Sequence, residues 1–264
     1  MWWIDSTSSQ SEGGHIRVNV TSQHGLLQDL EQRLCKKQGF CLATLNLDHV
    51  VKLRQPGPFR DAYTKHTHVT ADGRPIVWLS RLAGHSVQLI PGSDLMLPLI
   101  ELAARRKVPI AFFGSSQDAL DRAAETLLAQ FPGLNIAARI APPMGFDPQS
   151  ALADTFIAQI RASGAQLVFL ALGAPKQEVF ATRAFEVMPQ VGFASIGAGV
   201  DFIAGEQTRA PRIVRALAGV WLWRLSQDPS RLLSRYLACF AILPSLTSRA
   251  IRARLSKNSD AEFG

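Results

Sequence analysis

Three glycine-bounded turns carry residue types suited to holding a phosphate: Gly114-Ser115-Ser116, Gly173-Ala174-Pro175-Lys176-Gln177-Glu178 and Gly197-Ala198-Gly199-Val200-Asp201. Each follows a short apolar run and precedes a helical pattern. Glycine at such a point lets backbone amides approach an anion, and the start of the following helix adds partial positive charge. Taken singly, each turn is equally well explained as the closure of a strand. None is GxGxxG with an acid about twenty residues on, and GxxxxGKS/T is absent, so neither a dinucleotide fingerprint nor a P-loop is supported.

Asp72 lies in a Thr-Ala-Asp-Gly turn, where a carboxylate facing a cleft could remove a proton from a substrate hydroxyl. An Asx-type turn is the plainer explanation of the same residue. Thr44 and Asn46 fall where a strand ends; they could orient a sugar or phosphate, or cap the next helix. Asp94 has the same two readings. The six histidines show no HExxH or similar ligand spacing and no DxD pair is present, so the sequence gives no support for a metal or any other cofactor.

Apolar periodicity predicts the elements that must position these residues. A helix from Leu26 precedes a strand over Phe40–Leu45, and a second helix starts near Asp48. Ser93 or Asp94 is the expected N-cap of a helix in PGSDLMLPLIELAARRKV. PIAFFGSS and AQLVFLALGAP are apolar runs that each end in a glycine turn before a helix, and GFASIGAG is a last strand. Such units predict an α/β fold: a Rossmann-like open parallel sheet buried on both faces, with ligands at the carboxyl ends of its strands.

Beyond Arg209 the composition changes. Arg209, Arg212, Arg215, Arg224, Arg231 and Arg235 recur at helical spacing among Trp221, Trp223, Leu225 and Tyr236, predicting basic amphipathic helices. Such a face suits an anionic membrane surface and a lipid diphosphate, or is simply a solvated face packed on a core. The expected organisation is a flexible leader over 1–24, a catalytic domain over 25–208, the basic appendage over 209–256 and a disordered tail over 257–264.

The chain has 264 residues, 47% of them apolar and 19% charged, with a formal net charge of +7. That composition is globular rather than disordered. Every apolar run is too short or too interrupted to span a bilayer. The three cysteines lack paired spacing and fit a reducing cytoplasm, with the protein peripheral on the inner face of the membrane. Nucleic-acid binding is disfavoured because the positive charge is confined to the tail and no recognition motif accompanies it. Monomer and homo-oligomer are both left open.

In their order, TLNLDHVV, ADGRPIVWLSRLAG, PGSDL, FFGSS, FPGLNI, LGAPKQE, GAGVDFIAGEQTRAPR and WLWRLSQDPSRLLSRY resemble the successive motifs of the WecG/TagA/CpsF family of bacterial glycosyltransferases. The resemblance runs from about Thr44 to Tyr236. It implies an inverting transfer from a UDP-sugar, carrying an N-acetylmannosamine-type sugar, its uronate or glucose, to an undecaprenyl-diphosphate-linked acceptor. It implies a base at Asp72 with Thr44 and Asn46 beside it. Gly92, Asp94, Gly114, Gly173, Pro175, Lys176, Gln177, Gly197 and Asp201 would form the donor side, and Arg209, Arg212, Arg224, Arg231 and Arg235 would face the acceptor diphosphate and membrane. No metal is implied.

Three departures stand out. Leu89 occupies a position where relatives commonly carry arginine, leaving Arg74, Arg81 or Arg209 to substitute. Val220 stands where many carry glutamate. IAPPMGFDP lacks a common His-Gly-Tyr, which together with ADGRPIVW makes the chain look closer to exopolysaccharide members. The rival function is a non-catalytic UDP-sugar-binding regulator.

Overall fold

The computed structural model describes residues 2–4, 16–206, 220–227 and 229–262. A small antiparallel pair, β1 (Trp2–Ile4) with β2 (Ile16–Arg17), precedes the main domain. Residues 16–22, read from sequence as part of the leader, lie against the domain: Ile16 is buried, and Asn19 exchanges hydrogen bonds with the backbone of Thr67 and Val69.

The domain alternates strands and helices: α1 (Gln23–Cys35), β3 (Phe40–Leu45), α2 (Leu47–Leu53), α3 (Pro58–Lys65), β4 (His68–Ala71), α4 (Arg74–Leu82) and α5 (Gly92–Arg106). It continues with β5 (Ile110–Gly114), α6 (Gln117–Gln130), β6 (Ile136–Ile140), α7 (Ala151–Ala162), β7 (Leu167–Ala171), α8 (Lys176–Val187), β8 (Gly192–Ser195) and α9 (Gly199–Ile203). After the undescribed 207–219 come α10 (Val220–Gln227) and α11 (Pro229–Glu262), the latter running into the segment expected to be a disordered tail. No helix among the described residues is long and apolar enough to cross a membrane.

Six strands form one parallel sheet in the order β4-β3-β8-β7-β5-β6, as the α/β expectation requires. β3, β5, β7 and β8 are buried almost throughout because both faces are covered, which is why they read as unbroken apolar runs. α1, α5 and α6 cover one face through Leu30, Leu99 and Leu120. α7 and α8 cover the other, where Phe180 stacks on Phe113 at 4.2 Å between ring centroids. A fully buried phenylalanine contributes about 1.5–3 kcal/mol, so α8 is held firmly one turn beyond its functional end.

β5 and β7 are neighbours whose crossovers leave in opposite directions, outward to β6 and inward to β8. The crevice beyond their carboxyl ends is the topological switch point, where open α/β sheets bind ligands. α11 packs on α2 and α4, with Ile242, Leu246 and Ala250 in the same apolar cluster as Leu45, Val50 and Ile76.

Candidate functional site

The expected donor turns converge at the carboxyl edge of the sheet. Gly114 aligns with Ala171 across β5 and β7, so the turns containing Ser115 and Gly173 lie side by side. The glycine at 114 is required by packing: its φ is +118° and a Cβ would come within 2.5 Å of the Ala171 carbonyl. Gly92 is likewise a contact glycine, its virtual Cβ 3.0 Å from Ile196 Cα. Gly173 and Gly197 differ, since a Cβ at either would meet nothing within 4 Å, and Gly197 has φ +58°. Open space at those two turns is where a ligand can approach the backbone.

Ser115 Oγ donates to Asp201 Oδ1 at 2.5 Å, joining the turn after β5 to α9. Gln177 links the other two turns. Its Oε1 accepts from the Gly197 amide at 3.1 Å, and its Nε2 donates to Glu178 Oε1 at 2.8 Å. Pro175 and Gly173 are exposed and Lys176 is half-buried, whereas Gln177 and Glu178 are buried.

Asp72 follows the last residue of β4, its amide donating to the Leu45 carbonyl at 2.8 Å and so continuing the β3–β4 ladder. Ile90 donates to the Ala71 carbonyl at 2.8 Å, and Leu89 bridges Ala71, which lays the PGSDL turn alongside Asp72. α4 is entered through Gly73, which has no side chain with which to cap it. The expected cap of α5 needs correction. Its N-cap is Pro91, without a side-chain cap, and Ser93 and Asp94 lie inside the first turn; the proline already fixes the φ needed to start a helix.

Thr44 and Asn46 end and follow β3. Asn46 caps α2, its Oδ1 accepting from the His49 amide at 2.9 Å. Thr44 is buried, and its carbonyl accepts from the Tyr63 hydroxyl at 3.2 Å. The phenol has one proton, so its 2.9 Å contact with His49 Nδ1 is satisfied when that nitrogen carries a hydrogen. Burial drives His49 down to about 3, keeping it neutral. Burial raises the Tyr63 phenol, and the charges of Glu178 and Asp72 raise it further.

Several of these polar residues had no assigned role in the sequence reading. Asp48, Lys52, His49 and Tyr63 sit on α2 and α3 beneath the site, and Glu178 entered only as part of LGAPKQE. Ser195 ends β8 fully buried, with no partner for its Oγ. Asp48 and Lys52 are four residues apart on one helix and pair at 2.8 Å; Lys52 also reaches the Ala174 carbonyl at 3.3 Å. Of the expected arginines, Arg235 is bound to Asp48. Arg209 and Arg212 lie outside the described residues, as do the side chains of Arg224 and Arg231. Among the described residues, no group of three His, Cys, Asp or Glu is placed to hold a metal.

Comparison with known proteins adds the remaining findings. The profile of the Glycosyl transferase WecG/TagA/CpsF family matches residues 13–259. An N-acetylglucosaminyldiphosphoundecaprenol N-acetyl-beta-D-mannosaminyltransferase of Bacillus spizizenii is 28% identical over 204 residues, covering 75% of this chain and 75% of its own.

Proposed function

The chain belongs to the WecG/TagA/CpsF family and is a glycosyltransferase, and from that premise we propose that it moves a sugar from a UDP-sugar to a polyprenyl-diphosphate-linked acceptor, with inversion. The observation that carries the reading is the convergence of Asp72, the PGSDL turn and the three glycine turns along one sheet edge. The UDP diphosphate lies across the open turns at Gly173 and Gly197, near the start of α8, where helix polarity and Lys176 favour an anion. Asp72 removes the acceptor hydroxyl proton. That oxygen then attacks the anomeric carbon opposite UDP, and the departing diphosphate is stabilised by amides and by arginines of the C-terminal segment. These positive groups take the role a divalent cation plays elsewhere, so no metal is required.

The name of the Bacillus relative supports a lipid-diphosphate N-acetylglucosamine acceptor and an N-acetylmannosamine-type donor. The missing His-Gly-Tyr and the ADGRPIVW segment keep a hexose donor for exopolysaccharide as the second reading. Membrane association is supported by α11, where Leu233, Leu237, Phe240, Ile251 and Leu255 are exposed at helical spacing with Arg249, Arg252 and Arg254 close in sequence. An exposed apolar stripe with neighbouring arginines suits the boundary between headgroups and acyl chains on the cytoplasmic face.

UDP release from UDP-N-acetylmannosamine and UDP-glucose, with and without polyprenyl-diphosphate N-acetylglucosamine in detergent, tests the reading. Release that requires the lipid acceptor supports it and names the donor. Equal release with and without acceptor refutes the acceptor assignment.

A further inference from the structure

Glu178 occupies the first turn of α8, where an acid ordinarily serves helix polarity from the surface. Here the side chain is fully buried and Oε2 has no hydrogen-bond partner. An interaction with the helix dipole does not require burial, and burying a carboxyl without satisfying it is unfavourable. A second orphan, Ser195 Oγ, shares the pleat face of β8 with Phe193, the face that packs on α8. Two polar atoms without a hydrogen-bond partner, one at the start of α8 and one at the end of β8, are therefore buried close in sequence to the open turns.

The hydrogen-bond chain explains why an acceptor is kept there. The Gly197 amide can only donate, so Gln177 must turn Oε1 toward it. Nε2 then points at Glu178, which must present an acceptor, and Oε1 does so at 2.8 Å. Both the ionised and the neutral acid supply that acceptor, and a proton on the neutral form sits on Oε2. We infer that Glu178 is a positioning residue: its buried carboxyl fixes the Gln177 amide so that the turn after β7 and the turn after β8 are held at one spacing. The inference rests on the reading of those turns as the UDP side of the site. Lys52 from α2 acts on this carboxyl, and the carboxyl in turn acts on Tyr63 from α3. Burial raises Glu178 to about 7, against the lowering effect of Gln177, of its own backbone amide and of Lys52.

The test uses the full chain and compares Glu178→Gln, Glu178→Asp and Glu178→Leu with the parent in UDP affinity by calorimetry, donor KM and kcat by UDP release, and thermal melting. Glutamine keeps an acceptor in the same place and is expected to bind UDP as the parent does. Leucine removes the acceptor and aspartate draws it out of reach; each is expected to weaken UDP about tenfold, the effect of one lost interaction of about 1.4 kcal/mol, with donor KM rising more than kcat falls. Parent-like UDP affinity in the leucine and aspartate variants overturns the inference, as does a glutamine variant as weak as leucine. If leucine does not fold, the contrast between glutamine and aspartate decides. A parent that binds UDP but transfers no sugar defeats the functional reading while leaving these affinity ratios informative. A parent that binds no UDP overturns both.

Discussion

Arg235 holds Asp48 with two nitrogens, Nε to Oδ1 at 3.1 Å and Nη2 to Oδ2 at 2.7 Å, and the same Oδ2 pairs with Lys52 Nζ at 2.8 Å. One carboxylate thereby ties the C-terminal helix to α2, and Lys52 carries the connection to the Ala174 carbonyl in the turn after β7. Desolvation raises the Asp48 acid, but its hydrogen bonds with Arg235 and Lys52 outweigh that and hold it below the usual value. Its stabilising contribution is therefore present above the ordinary aspartate range and lost as pH falls through the lowered folded value.

Asp48→Asn is expected to cost about 1–2 kcal/mol, within the range for part-buried charge-assisted hydrogen bonds. It should also increase protease cleavage within α11. Exchanging the charges with Asp48→Arg and Arg235→Asp together should restore part of the loss. Identical proteolysis of Asp48→Asn and parent would show that the pair does not dock α11.

Tyr63→Phe removes the hydroxyl shared by Thr44 and His49 and is expected to destabilise by about 1–3 kcal/mol, because the buried partners are left unsatisfied. Urea unfolding with unchanged m-value is the check.

Burial lowers His49 to about 3 and His66 to about 4. Between those values and the ordinary 6.5 the unfolded chain binds protons that the folded chain refuses, so stability falls as pH drops through this window. Glu178 works oppositely. Raised to about 7, its contribution is fully present below the unfolded value of 4.5 and lost as pH rises through 7. Glu178→Gln should therefore gain stability relative to the parent above pH 7, while His49→Phe should flatten the acid limb. Melting temperatures measured across pH 4–9 would expose either sign being wrong.

Most of the sheet is legible in the sequence because β3, β5, β7 and β8 are covered on both faces, leaving unbroken apolar runs before glycine turns. β6 lacks that signal: Ile136–Ile140 is an edge strand, half exposed, with Arg139 inside it. The start of α5 is not legible because serine and aspartate usually cap helices, whereas Pro91 is the N-cap here. Asp72 and Gln177 stand in motifs that single them out as candidates. Glu178 was not singled out, because an acid in a first helical turn looks ordinary until its burial is seen. The Asp48–Arg235 pair joins residues 187 positions apart, and no local spacing announces it.

For the exposed stripe on α11, Leu237→Glu with Phe240→Glu is expected to reduce cosedimentation with anionic vesicles at least tenfold, through lost apolar insertion. Unchanged cosedimentation would remove α11 from the membrane contact.

Turnover should also survive a chelator, since positive side chains and amides stabilise the leaving diphosphate in this account. Loss of activity in EDTA that is restored by a divalent cation would require a metal in the mechanism.

The most direct test is acceptor-dependent UDP release by the parent and by Asp72→Asn under matched conditions, with melting confirming equal folding. A drop of about 10²–10⁴ in kcat for Asp72→Asn, with UDP affinity retained, is the predicted result for loss of a general base. Near-parental turnover by Asp72→Asn would contradict the assignment of that carboxylate and the mechanism built on it.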